Sequence, residues 1–156
     1  MLVWVSNVAK YLQGKYKPKN PSKYRGDVNN IIYRSSWELQ MLNHLDRNNN
    51  VIEYASEEFF IPYVSPVDNR VHRYFPDFYV KSKMPNGDTQ VQIVEVKPYN
   101  QTMPPKPNKS GRKTKRLLTE AKTWAVNQAK WKAAEEFCKD NNYKFVIITE
   151  KELGIK

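Results

Sequence analysis

The hydrophobic positions switch between two periods along the chain, and the switches mark its elements. Trp37, Met41, Leu42 and Leu45 recur at helical spacing. They predict a helix capped by Ser35 and Ser36 and stopped by Asn48-Asn49-Asn50. Ile31 to Arg34 forms a short strand or lead-in before it. Glu58 to Val64 predicts a strand, with Ile52 and Tyr54 leading in, and Pro62 assigns it to an edge or a bulge. Arg73 to Val80 and Gln90 to Lys97 predict two more strands, joined across Met84 to Asp88, where Asn86-Gly87 is a hairpin turn. In the second, Val91, Ile93, Glu95 and Lys97 share one face while Val94 and Val96 point to the other. Apolar residues on both faces predict a central strand covered on both sides. The helical period returns over residues 115–140 with Leu117, Ala121, Trp124, Gln128, Trp131 and Ala134, closed by Asn141-Asn142. The two tryptophans are expected in the core rather than as stacking platforms. Tyr143 to Ile148 predicts a buried strand, and Thr149 to Glu152 a capping box before Gly154. A short helix is expected within residues 1–14, with Gly14 as its stop. The expected fold is α/β: a single domain with a central mixed sheet of four to five strands flanked by helices.

Length and charge narrow the class. A chain of 156 residues suits one domain, and a net charge of +10 predicts a polyanionic partner. No apolar run approaches the roughly 18 residues of a membrane span. The first residues lack the basic start and cleavage site of a signal peptide. Cys138 is the single cysteine, which excludes an internal disulfide and a cysteine-based zinc site.

The cations concentrate in two stretches. Residues 1–30 read as a basic N-terminal arm, with residues 31–156 as the domain. Lys17, Lys19, Lys23 and Arg25 precede the first acid, Asp27, and Tyr11, Tyr16 and Tyr24 interleave with them. The arm is either a solvated face or a grip on phosphates and bases. Residues 98–116 form a proline-rich loop with six Lys and Arg and no acid. Lys106, Lys109, Arg112 and Lys113 there, with Arg34, complete the expected phosphate contacts.

Acids inside such a basic chain need a reason. Pro76-Asp77 and Glu95-Val96-Lys97 fall on consecutive strands. Asp77 and Glu95 are hard oxygen donors suited to Mg²⁺, with Mn²⁺ as a substitute, and the Val96 carbonyl could add a further ligand. Lys97 lies two residues beyond Glu95, about 7 Å along the strand, where an ammonium can orient a water or a phosphate. Taken alone, Glu95 and Lys97 would be an ion pair at a sheet end. Glu38 has a local explanation as the far partner of a capping box with Ser35. Glu57 reads as part of a solvated turn within reach of a metal site, and His44 as a surface or packing residue.

The ordered set Glu38, Pro76-Asp77 and Glu95-Val96-Lys97, followed by a long helix, resembles the PD-(D/E)XK nuclease superfamily from about Tyr33 to Thr149. The strings KYRGD, YRSSWE, RYFPDF, VEVKP and TWAVNQAKWKAAEEF look like the small head-completion nucleases of T-even-like phages and the N-terminal domain of TnsA-type nucleases. The resemblance implies a metal-dependent DNA endonuclease with Glu38, Asp77, Glu95 and Lys97 as its site. It also moves Glu38 from cap to site, the two roles being compatible. Asn127 or Lys130 on the long helix is the expected assisting residue. In the phage branch it implies a part in finishing the packaged head, with portal or neck proteins as partners and a place in the host cytoplasm or the virion. Two alternatives stand beside it: a structural head-completion or DNA-end-binding protein with little cleavage, and a DNA-binding module without catalysis. No helix-turn-helix or zinc pattern favours the last.

Overall fold

A computed structural model describes residues 13–154. The helix expected at the N-terminus falls almost wholly outside them, and Gly14 opens a strand instead. The strands are β1 (Gly14–Lys15), β2 (Ile32–Tyr33), β3 (Val51–Ser56), β4 (Ile61–Val64), β5 (Val71–Tyr74), β6 (Phe78–Lys83), β7 (Thr89–Val96) and β8 (Lys144–Ile148). The helices are α1 (Ser36–Arg47) and α2 (Lys115–Asn141). None of the described helices is long and apolar enough to cross a membrane.

A four-stranded sheet in the order β3-β6-β7-β8 forms the centre. β6 runs antiparallel to β3 and β7, while β8 runs parallel to β7, so the sheet is mixed. β7 is an inner strand, as its two-faced apolar pattern required. Val94 and Val96 join Leu42 and Leu45 of α1 on one face. Ile93 and Val91 join Cys138 and Phe137 of α2 on the other. The two helices therefore cover opposite faces. The turn between β6 and β7 places Gly87 at φ 89°, a conformation that Asn86-Gly87 supplies at little cost.

Three expectations change. Val51–Ser56, read only as a lead-in, is the edge strand β3 of the main sheet, while Glu58 to Phe60 is loop. Pro62 does lie outside the main sheet, in the two-stranded ribbon β4–β5. Arg73 to Val80 is not one strand: β5 ends at Tyr74 and β6 begins at Phe78, in different sheets. Proline at 76 cannot donate to a ladder, and the chain crosses between sheets there. On α2 the buried stripe runs through Asn127, Trp131, Ala134 and Cys138, and Gln128 is exposed. Spacing alone allowed either amide, because both are polar.

Residues 13–30 pack into the domain rather than standing off as an arm. Tyr16 and Tyr24 belong to the α1-side core. Asp46, 1% exposed, anchors this segment. Its carboxylate accepts from the Lys19 amide at 3.0 Å, the Asn20 amide at 3.3 Å and the Tyr54 hydroxyl at 2.9 Å. Asp46→Ala strands these donors and is expected to cost roughly 2–4 kcal/mol. A urea titration checks this, with a lower midpoint at unchanged slope.

Candidate active site

Asp77 stands at the break between the ribbon and the sheet. Glu57, at the end of β3, donates its amide to the Asp77 carbonyl at 3.2 Å, and this fixes the backbone there. The Asp77 Oδ2 accepts the Val96 amide at 2.7 Å. The β6–β7 ladder ends at Phe78↔Val94. Continuing that register sets Pro76 opposite Val96, and proline has no N–H for the Val96 carbonyl. Asp77 thus takes over one half of a missing backbone pair, and the carbonyl on the same edge of β7 is left to other partners.

Glu95 is 7% exposed on the α2-side face of β7. Tyr74 donates its hydroxyl to Glu95 Oε2 at 2.6 Å, and Lys97 Nζ lies 3.5 Å from Oε1. Lys97 follows from strand periodicity, but Tyr74 carried no signal in the sequence beyond facing inward at the end of β5. The Glu95 carboxylate is held from both sides, and Lys97 has two further donors to offer. Burial pushes the Tyr74 hydroxyl's pKa up, with the Glu95 charge as the next cause.

Glu38 joins from the first turn of α1. Its amide donates to Ser35 Oγ at 3.1 Å, while its Oε2 accepts the Arg34 amide at 2.9 Å. The capping box is real, shifted one residue toward the N-terminus from the expected Ser35 amide. The capping carboxylate also lies near enough to Asp77 to raise its pKa. Arg34 spans the rim: its guanidinium is ion-paired with Glu57. Glu57 has a left-handed backbone, φ 52°, which is uncommon for a residue with a side chain and turns it toward this rim.

The electrostatics is dominated by crowded carboxylates. Asp77 is held well above the ordinary range, first by burial and then by Glu95, with Glu38 adding to the rise; the Val96 amide and Lys97 pull the other way. Glu38 is raised by burial and by Glu57, against the Arg34 amide and guanidinium. Such a cluster is short of positive charge. Among the described residues, no three His, Cys, Asp or Glu side chains converge as a ready cage. The donor set instead fits Mg²⁺ with few protein ligands: Asp77, Glu95 and the Val96 carbonyl, with waters filling the rest.

The other expected residues are dispersed. Lys17, Lys19, Lys106, Lys109, Arg112 and Lys113 are exposed. Arg25 lies over the Tyr79 ring at 5.3 Å. Lys23 is placed elsewhere: its ammonium donates to the Leu45, Asp46 and Asn48 carbonyls at 2.8–3.0 Å, closing the C-terminus of α1. Lys130 lies over the rings of Tyr63 and Tyr74, at 5.8 and 5.7 Å, behind the Tyr74–Glu95 bond. Asn127 is buried on α2 and faces a neighbouring cavity. His44 is exposed, as expected.

Tyr74→Phe tests the support behind Glu95. With a metal held at Glu95, it should weaken Mg²⁺ binding about tenfold, in the range seen when a metal ligand loses its hydrogen-bonded support. Calorimetric Mg²⁺ titration of both proteins checks this.

Residues 48–150 match the family model described as TnsA-like endonuclease N terminal. The chain is also 40% identical over 148 residues to a protein of Enterobacteria phage T4 named head completion nuclease, covering 92% of this chain and 96% of that protein. The family match spans every strand from β3 to β8 and the residues Asp77, Glu95 and Lys97. This chain belongs to the TnsA-like endonuclease N-terminal family.

Proposed function

We propose that the protein is a Mg²⁺-dependent DNA endonuclease acting in the completion of packaged phage heads. The observation that carries the chemistry is the convergence of Asp77, Glu95 and Lys97 at one sheet end, with Glu38 raising the charge on the same spot. A divalent cation held by Asp77, Glu95 and the Val96 carbonyl would supply charge neutralisation at a phosphate and a more acidic water. The chain's own residues do the rest. Tyr74 and Lys97 keep Glu95 oriented. Lys97, with donors to spare, positions the attacking water or a non-bridging phosphate oxygen. Glu38 completes the metal or water shell. The exposed cations of residues 106–113, together with Arg34, hold the DNA backbone over the site. The head-completion role is supported by the name of the T4 relative.

The test is cleavage of linear, circular and branched DNA by the purified protein, with and without Mg²⁺. Products should appear only with Mg²⁺ or Mn²⁺ and stop on chelation. Undiminished cleavage in excess chelator would overturn the metal mechanism, and intact DNA in both metals would overturn the activity.

A further inference from the structure

A cavity of about 700 Å³ opens between residues 99–106 and helix α2. None of Asp77, Glu95 and Lys97 lines it, but Tyr99 begins its wall two residues past Lys97. Trp124 forms the opposite wall. The two tryptophans of α2, alike in sequence, divide here: Trp131 is core, and Trp124 stands edge-on against it at 6.3 Å with part of its surface free to line the cavity. The Tyr99 side is fixed in place, since Glu150 accepts its amide at 2.8 Å and the Lys151 ammonium covers its ring. Asn127, 7% exposed, contributes to the lining from the helix, and Gln101 contributes from the loop. Lys106 is the cation of the lining. The one acid there, Glu120, is paired with Arg116 at 2.9 Å.

Pockets of this size take small planar ligands on apolar walls with a few polar groups to fix orientation. An indole wall, amides suited to the edge of a heterocycle and an exposed lysine on the lining match a nucleobase and its phosphate. Position supplies the rest, because the wall residue Tyr99 stands only two residues past Lys97. We propose that this cavity receives an unpaired nucleobase of the DNA substrate, so that the protein acts where a base is free to leave the stack: a bulge, a mismatch, a flap or a frayed end. The proposal deepens the nuclease reading and rests on it for the neighbouring chemistry. A base that is already unpaired enters without the cost of unstacking it from a duplex, and that difference generates the preference.

The experiment measures binding first, without Mg²⁺, on three duplexes of one sequence: fully paired, with one bulged 2-aminopurine, and with an abasic residue at the bulge. The full chain should bind the bulged duplex about tenfold more tightly than the paired one, quenching the 2-aminopurine. The abasic duplex should lose that gain, which separates a base in the pocket from mere flexibility. Trp124→Ala should abolish the selectivity and keep the affinity for paired DNA. Thr123→Leu, at an exposed helix position lining the cavity, fills it without touching the core and should do the same. Equal affinity for the three duplexes, or selectivity retained in both variants, overturns the proposal. The same duplexes are then given Mg²⁺. Cleavage without base selectivity sinks the pocket and leaves the nuclease standing, while base selectivity without cleavage does the reverse.

Discussion

Asp77→Asn should abolish Mg²⁺-dependent cleavage and, in the same protein, raise the melting temperature without metal. The loss of rate should be on the order of a thousandfold, since one change removes a ligand charge from the place where phosphate charge develops. The gain in stability has a separate cause. Asp77 is buried beside Glu95 and Glu38, and its carboxyl is held well above the ordinary range. Asparagine keeps an oxygen for the Val96 amide and removes the buried charge. Relief of that charge should raise the melting temperature measurably. Added Mg²⁺ should raise the wild-type melting temperature and leave Asp77→Asn unmoved. The sign with pH follows. An acid whose folded pKa is raised stabilises the fold fully below its ordinary pKa and loses that contribution as pH rises through the folded value. Both Asp77 and Glu38 are raised. Metal-free wild type should therefore melt higher at mildly acidic pH than at neutral pH, and Asp77→Asn should show a smaller rise. Scanning calorimetry across pH, with and without Mg²⁺, checks each part.

Lys97→Met should cut turnover by about a hundredfold or more and leave DNA binding nearly intact. Its ammonium is one positive charge among many for binding, but it is the cation placed against Glu95. Lys97→Arg should not restore the rate, because a planar fork cannot take the place of a compact ammonium at a single water. Stability should move opposite to Asp77→Asn. Removing Lys97 leaves Glu95, with only 10% of its side chain exposed, supported by Tyr74 alone. Lys97 itself remains partly open to water, so the expected cost is roughly 1–2 kcal/mol. Single-turnover rates and a filter-binding affinity for each variant separate the two effects.

Much of this was written into local patterns. The two-faced β7, the Asn86-Gly87 hairpin and the Ser35 cap all follow from rules that act within a few residues, and the structure carries them as expected. Strand Val51–Ser56 is faint in the sequence because its buried residues do not alternate strictly: Val51, Tyr54 and Ala55 are buried around a register irregularity between Val51 and Glu53. The β5–β6 break is hidden in the sequence because Arg73 to Val80 is continuous in β propensity, with only Pro76 against it. At the candidate site, spacing alone marks Asp77, Glu95 and Lys97 as oddly placed charges, and the family resemblance groups them. Tyr74 carries no such mark, since its partner is 21 residues away and an inward tyrosine on a strand looks like any core residue. Lys23 shows the converse. A lysine in a basic run reads as a phosphate contact, and only the fold reveals that the end of α1 takes it up.

The central claim is that Asp77, Glu95 and Lys97 form a metal-dependent hydrolytic site. It is tested most directly by initial rates of supercoiled plasmid cleavage in Mg²⁺ for wild type and Asp77→Asn, prepared side by side and shown by calorimetry to be folded. Wild type should nick or linearise the plasmid, and Asp77→Asn should be slower by on the order of a thousandfold while melting at the same or a higher temperature. Folded Asp77→Asn cleaving at the wild-type rate would contradict the account.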